Sequence, residues 1–210
     1  MLEELLNSVR DTIGNMELPD NYAVNYWKLA ARRVFYINDE INEDILEIQK
    51  AILEINFEDI GTPVEQRKPI VLMINTPGGY LQETFSLVDM ITLSKTPVYT
   101  VNIGAAHSGG FILLIAGHKR FALEHSTALC HSGSSGNAGT YEQMEAAQNL
   151  YRKQIGQMKD YILSHTSIDD KLYKKRRSSE WYMDAQEQLS CGAVDKIVGD
   201  LNELFNGAMW

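Results

Sequence analysis

Two strand-like segments, each followed by a glycine turn and a helix-like segment, constrain the fold of this chain most. The first, a continuous apolar run at residues 69–74, leads into a turn at Gly78, and the second, at residues 97–103, leads into a turn at Ser108 and Gly109. A continuous apolar run bounded by turns is typical of a strand that is covered on both faces. Strand, turn and helix repeated in this order predict an α/β fold of stacked βαβ units with right-handed crossovers.

Shorter segments on either side continue this pattern. Further strands are predicted at residues 33–37, 120–122, 127–130 and 193–198, and further helices at residues 41–53, 85–93, 111–117 and 170–177. A long helix is predicted over about 140–165, and at 1.5 Å per residue it would reach about 35 Å or more. Such a helix is longer than a domain of this size needs, so we expect it to pack against another subunit.

Length and charge limit the classes of function. A chain of 210 residues can form one domain with a small appendage. The formal charge of −9, without a basic patch, argues against nucleic acid as a partner. The acidic start does not resemble a signal peptide, and the longest apolar stretch, residues 111–116, is too short to span a bilayer. Cys130 and Cys191 are expected to be free thiols, so we predict a cytoplasmic protein with no membrane partner.

Ser108 is the candidate nucleophile, because its hydroxyl stands on a small-residue turn between a strand and a helix. Backbone N–H groups in glycine turns can cradle an oxyanion, and a histidine with an ordinary pKa can act as a base at neutral pH. His131, at the end of a predicted strand, is the candidate base. The alternative for Ser108 is a serine chosen for small size and helix capping, and the alternative for His131 is a structural residue.

Four motifs in fixed order resemble the proteolytic subunit of the ATP-dependent Clp protease. They are residues 74–79 (Ile-Asn-Thr-Pro-Gly-Gly), 103–110 (Ile-Gly-Ala-Ala-His-Ser-Gly-Gly), 119–123 (Lys-Arg-Phe-Ala-Leu) and 126–131, from a serine to His131. Later matches are at residues 165–166, 183–185 and 192–197. The similarity covers about residues 30–200, so the chain is identified as similar to a divergent ClpP-like serine peptidase.

The resemblance implies a ClpP/crotonase-type spiral of βαβ units with a protruding handle helix at about 140–165. It divides the chain into an N-terminal helical appendage (1–32), a ClpP-like peptidase domain (33–200) and a C-terminal tail (201–210). Ser108 would be the nucleophile, His131 the general base, and Gly79 and Gly109 the oxyanion donors. No metal or organic cofactor is implied. The substrate would be a peptide, and the assembly a homo-oligomer, heptameric or stacked as two rings.

Three departures from the family pattern affect these expectations. Arg176 is assigned to the position where the family has its catalytic aspartate, and the nearby carboxylates are unaligned: Asp169, Asp170, Glu180 and Asp184. Another carboxylate could take the role, a Ser–His dyad could suffice, or the subunit could be weak or inactive. His107 stands where a small residue is usual, which favours a structural or pocket role. Residues 1–32 differ from the family's axial loop, so docking of an AAA+ unfoldase stays open.

Two rival functions remain open, and a third is set aside. A signal-peptide-peptidase-like Ser/Lys protease would use the same Ser108 turn with a lysine base and would not need His131. A degenerate ring subunit would act as a scaffold, in accordance with Arg176 at the acid position. A crotonase-type acyl-CoA enzyme shares the fold, but no carboxylate marks its site and it has no need of a Ser/His pair.

Overall fold

The computed structural model describes residues 20–136, 138–176, 179–201 and 203. The chain divides into two compact units after Arg33. In the first unit, helix α1 (Asn21–Ala30) begins at Asp20, whose carboxylate accepts the N–H of Ala23 at 2.7 Å. Residues 1–19 of the predicted N-terminal appendage (1–32), and most of the predicted tail 201–210, lie outside the described residues, and the domain limits stay a prediction.

A seven-stranded sheet organises the second unit in the described part of the chain. Its strands are β1 (Val34–Ile37), β2 (Ile70–Thr76), β3 (Val98–His107), β4 (Lys119–Leu123), β5 (Thr127–Cys130), β6 (Trp181–Met183) and β7 (Lys196–Val198). The main order is β1-β2-β3-β4-β7, with parallel pairing throughout. Strand β5 extends the sheet beside the far end of β3, and β6 pairs with β5 in the antiparallel direction.

Helices connect the parallel strands and cover them. They are α2 (Ile45–Glu58), α3 (Leu81–Leu93), α4 (Gly109–Ala116), α5 (Tyr141–His165), α6 (Asp170–Arg176) and α7 (Ala185–Ser190), with a short 3-10 turn at Val64–Gln66. Because α2, α3 and α4 each join neighbouring parallel strands, the predicted α/β architecture of βαβ units is confirmed. Every residue of α4 is buried, which places this apolar helix at the centre of the core.

The long helix α5 runs for 25 residues, from Tyr141 to His165. A capping box begins it, in which the Thr140 hydroxyl accepts the N–H of Gln143 and the Gln143 side chain accepts the N–H of Thr140. Only Met158 and Ile162 of this helix are buried within the subunit. Most of its length therefore lies on the surface. Among the described residues, no helix combines the length and the apolar character needed to cross a membrane.

The sequence placed several element limits wrongly. The helix predicted from Ile41 begins at Ile45, because Ile41 instead pairs with the glycine turn in a short parallel bridge. Its N–H donates to the Gly78 carbonyl at 2.8 Å, and its carbonyl accepts the Tyr80 N–H at 2.9 Å. The strand predicted over residues 193–198 is formed only from Lys196, since the Ala193 N–H still bonds the end of α7.

Strand β6 was not predicted, and β3 is longer than predicted. Residues 104–107 continue β3 and pair with β5, so the small-residue turn is reduced to Ser108 itself. Small side chains fit here because the strand passes close to its neighbour: a Cβ on Gly104 would lie 2.5 Å from Oδ1 of Asn75. The buried side chain of Asn102 then ties β3 to β5 and α7, with bonds of 3.0 Å to the Thr127 carbonyl and to Gln188 Oε1.

Cys130, the last residue of β5, is expected to be unreactive in the folded protein. It is a free, buried thiol, and burial raises its pKa to about 12. At pH 8 only about one thiol in 10⁴ would then be the reactive thiolate. Native protein should therefore leave Cys130 unmodified by iodoacetamide, as measured by mass spectrometry, while urea-unfolded protein is alkylated. Rapid modification of Cys130 in the native protein would contradict this.

Candidate active site

Ser108 occupies a strained turn between β3 and α4. Its backbone has φ 54° and ψ −115°, in a region that residues other than glycine rarely adopt. Two hydrogen bonds hold it there: the Ser108 N–H donates to the Leu129 carbonyl at 3.0 Å, and its own carbonyl accepts the Phe111 N–H at 3.0 Å. The Ser108 side chain forms no capping bond to α4. Helix capping therefore does not account for this serine, and its hydroxyl is available for another partner.

The glycine turn after β2 lies against Ser108. The Thr76 hydroxyl, fully buried, accepts the Gly78 N–H at 3.1 Å and donates to the Asp39 carbonyl at 2.5 Å, which fixes the turn. Gly78 has φ +98°, and a Cβ built on it would lie 2.6 Å from the Cβ of Ser108. Only glycine allows the two turns to come this close.

We expect Gly78→Ala to damage both folding and the site. The added methyl would also meet the His107 carbonyl at 2.7 Å, so backbone must move. We expect a loss of about 2–3 kcal/mol in the free energy of unfolding, measured with urea. Gly61→Ala is the matched control, because Gly61 has φ +86° but nothing within 4 Å of the new methyl. If both variants lose equal stability, crowding against Ser108 is not the cause.

The two predicted oxyanion donors come together beside the nucleophile. A Cβ built on Gly109 would lie 3.6 Å from the backbone nitrogen of Gly79, so the two peptide groups are neighbours. The paired bonds of the bridge use the Gly78 carbonyl and the Tyr80 N–H, which leaves the Gly79 N–H outside the ladder. The Gly109 N–H is the first of α4 and has no preceding turn to bond. Among the described residues, neither N–H takes part in these backbone bonds, so both are candidate donors to an oxygen bound beside Ser108.

His131 directly follows β5 and faces Ser108. Its Nε2 lies 2.8 Å from the Ser108 Oγ, which is hydrogen-bond distance. The imidazole is 19% exposed, so it is shielded but not sealed from solvent. The structure thus brings the predicted nucleophile and base into direct contact.

Glu180 lies on the other side of His131. Its Oε1 is 3.3 Å from His131 Nδ1. Strand pairing accounts for the contact, because the antiparallel β5–β6 ladder ends with Cys130 opposite Trp181, and His131 and Glu180 are the next residues beyond that pair. The order Ser108 Oγ, His131 Nε2, His131 Nδ1, Glu180 Oε1 has the geometry of a nucleophile, a base and an orienting carboxylate.

The other residues considered for the acid position lie elsewhere. The Arg176 guanidinium stacks over the Trp181 ring at 5.5 Å. Asp169 and Asp184 accept backbone N–H groups at the starts of α6 and α7. Asp170 bonds Lys159 and Lys174, whose ammonium groups lower its pKa to about 2. Glu180 could not be aligned with the family's acid position from the sequence, because β6 is only three residues long and gives no periodic signal.

The side chains of Tyr182 and His107 lie near Glu180 on the same face of the sheet. The Tyr182 hydroxyl lies 3.5 Å from Glu180 Oε2, and the Tyr182 ring meets the His107 ring edge-on at 5.5 Å. His107 Nε2 lies 2.9 Å from the Thr127 Oγ1. Burial lowers the pKa of His107, and the nearby Glu180 carboxylate acts in the opposite direction. His107 therefore packs beside the carboxylate and not against the Ser108 hydroxyl.

A pocket of about 530 Å³ opens beside Ser108 and Gly109. One side is formed by residues 79–83, at the start of α3, and another by the glycine- and serine-rich residues 133–136. The third side is α5, which contributes Leu150, Tyr151, Gln154, Ile155 and Met158. We call this space the substrate pocket. Its volume is within the range of sites that bind small molecules or side chains.

Comparison with known proteins finds one family over nearly the whole chain. The model of the family described as Clp protease matches residues 20–200. The chain is 30% identical over 184 residues to the ATP-dependent Clp protease proteolytic subunit 3 of Parasynechococcus marenigrum, covering 85% of this chain and 88% of the relative. It is 26% identical over 179 residues to subunit 2 of the corresponding protease of Treponema pallidum, covering 84% and 87%.

Proposed function

Because this chain belongs to the Clp protease family, we propose that it is a serine endopeptidase with Ser108 as the nucleophile and His131 as the general base. The observation that carries the proposal is the 2.8 Å contact between Ser108 Oγ and His131 Nε2. The strained backbone of Ser108 adds support, since backbone strain at a residue whose side chain makes no capping bond is typical of a functional site.

The reaction follows from the positions of these atoms. Ser108 Oγ attacks the carbonyl carbon of the scissile peptide bond while His131 Nε2 takes the hydroxyl proton. The negative oxygen that forms accepts hydrogen bonds from the N–H groups of Gly79 and Gly109. His131 then gives its proton to the departing amine, and an acyl ester remains on Ser108. Water, deprotonated by His131, hydrolyses the ester and restores the serine hydroxyl.

Glu180 takes the role of the third group in this proposal. Its carboxylate would accept the Nδ1 proton of His131, which keeps Nε2 unprotonated and aimed at Ser108, and would stabilise the imidazolium during the reaction. Arg176, which the sequence assigned to the acid position, is stacked on Trp181 and has no part in it. Of the three outcomes left open by the sequence, substitution by another carboxylate is the one that this arrangement supports.

The peptide would lie extended across the substrate pocket, beside residues 78–80 on one side and the glycine-rich residues after His131 on the other. Two exposed backbone segments on opposite sides can add hydrogen bonds to an extended chain in the manner of an added strand. A homo-oligomeric ring also belongs to the proposal. The long, largely exposed helix α5, with Tyr141, Met144 and Leu150 on its surface, would act as the handle that contacts other subunits. A cytoplasmic location stays a prediction, and docking of an AAA+ unfoldase stays open.

Labelling with a fluorophosphonate probe tests the proposal. We expect the probe to label the oligomeric protein on Ser108, identified by peptide mass spectrometry, and prior treatment to abolish peptide hydrolysis. His131→Ala should abolish labelling, because no base would remain to activate the hydroxyl. Full labelling of that variant would favour the Ser/Lys rival. An oligomer that neither labels nor hydrolyses peptides would favour the scaffold.

A further inference from the structure

Glu83 stands out in the substrate pocket because of its charge. Among the described residues that line this pocket, only Glu83 has a side chain that is normally charged at neutral pH. The rest are glycines, serines, glutamines, tyrosines and aliphatic side chains. A single negative charge on the wall of an otherwise neutral pocket makes its electrostatic potential negative, and that potential can select among substrates of different charge.

The backbone of Glu83 is held in a helix, and its carboxylate has no ion-pair partner among the described residues. It lies in the first turn of α3, directly after the glycine turn, and its carbonyl accepts the Ser86 hydroxyl at 2.8 Å. The residue is half-buried. No lysine, arginine or histidine of the described chain pairs with its carboxylate. An acid in the first turn also suits the helix dipole, but that role does not depend on what enters the pocket.

We propose that Glu83 makes this peptidase prefer substrates with a basic side chain next to the scissile bond and disfavour acidic ones. The inference rests on the proposed function, since the pocket reaches Ser108 and Gly109 and would receive the side chain beside the attacked carbonyl. A lysine suits the lining in two ways. Its hydrocarbon stem would pack on Leu150, Ile155 and Met158, while its ammonium would approach the Glu83 carboxylate.

The expected size of the preference follows from the partial burial of Glu83. An ion pair that remains in contact with water is worth little, whereas a pair in a shielded pocket is worth more. Between these limits, we expect the lysine substrate to exceed its uncharged analogue by about 5- to 10-fold in kcat/KM. A glutamate substrate should fall below that analogue by a similar factor, and high salt should reduce both differences.

The test is a series of fluorogenic peptides that differ only in the residue on the acyl side of the scissile bond: lysine, norleucine or glutamate. We expect Glu83→Gln to bring the three kcat/KM values together and Glu83→Lys to reverse their order. Glu54→Gln is the matched control, because it removes an exposed carboxylate of α2 outside the pocket. The overall charge of −9 changes equally in Glu83→Gln and Glu54→Gln, so general attraction of cationic peptides cannot mimic the effect.

The outcomes separate this inference from the function on which it rests. Cleavage of all three peptides with the same ratios in wild type and Glu83→Gln would overturn the role of Glu83 and leave the peptidase intact. A protein that cleaves none of them and whose Ser108 takes up no fluorophosphonate would overturn both. A lysine preference that disappears in Glu83→Gln and persists in Glu54→Gln supports the proposal.

Discussion

Ser108→Ala is expected to lower kcat for peptide hydrolysis by about 10⁶-fold, to the background of the assay. The variant removes the oxygen that forms the acyl ester. It also removes the hydroxyl that lies 2.8 Å from His131 Nε2, so the histidine has no proton to accept. Any remaining rate would come from water attacking a carbonyl held by the Gly79 and Gly109 N–H groups. Binding of a peptide should be retained, because the pocket walls are unchanged.

The substitution is suited to this test because the fold should tolerate it. Alanine keeps the Cβ that lies against Gly78 and leaves both backbone bonds of residue 108 intact. The melting temperature should therefore stay within about 2 °C of wild type. Ser190→Ala is the control, since that exposed hydroxyl donates to the Glu187 carbonyl of its own helix and to no other group among the described residues. Unchanged hydrolysis by Ser108→Ala, or loss in Ser190→Ala, would contradict the assignment.

The architecture could be predicted because the buried strands are strongly patterned. Residues 70–74 are an apolar run buried on both faces, residues 98–102 are also buried throughout, and both strands lead into glycine-containing turns. Such segments leave few alternative folds for a chain of this length. Ser108 and His131 each adjoin an element whose type was evident, but the roles expected for them and for Gly79 and Gly109 came from the resemblance to the Clp protease family.

The contacts that complete the site could not be predicted, because they depend on the register between distant segments. Ile41 follows the helical spacing of α2, yet its backbone bonds Gly78 and Tyr80, an interaction that becomes available only when β1 and β2 pair. Counting along the chain assigned Arg176 to the acid position. The β5–β6 ladder instead sets Glu180 opposite His131, and a three-residue strand carries too little pattern to reveal this.

Glu180→Gln is expected to lower kcat by about 10²- to 10³-fold with little change in KM. Removing a buried orienting carboxylate costs about 10⁴ in kcat, because the histidine adopts the wrong tautomer and the imidazolium loses its partner. Glu180 should contribute less than that, since its side chain is 57% exposed and solvent screens its charge. Glu180→Asp keeps the charge but shortens the side chain, so it should fall between wild type and Glu180→Gln.

Arg176→Asp separates this arrangement from one in which the acid is missing. Arg176 contacts the Trp181 ring and lies outside the Ser108–His131–Glu180 series. A new carboxylate there should leave kcat within about twofold of wild type and cost about 0.5–1 kcal/mol of stability through the lost cation–π contact. Peptide hydrolysis and urea unfolding of Arg176→Asp, Glu180→Gln and the double variant measure both effects. A tenfold rise in kcat for Arg176→Asp, or full activity in Glu180→Gln, would mean that Glu180 does not orient His131.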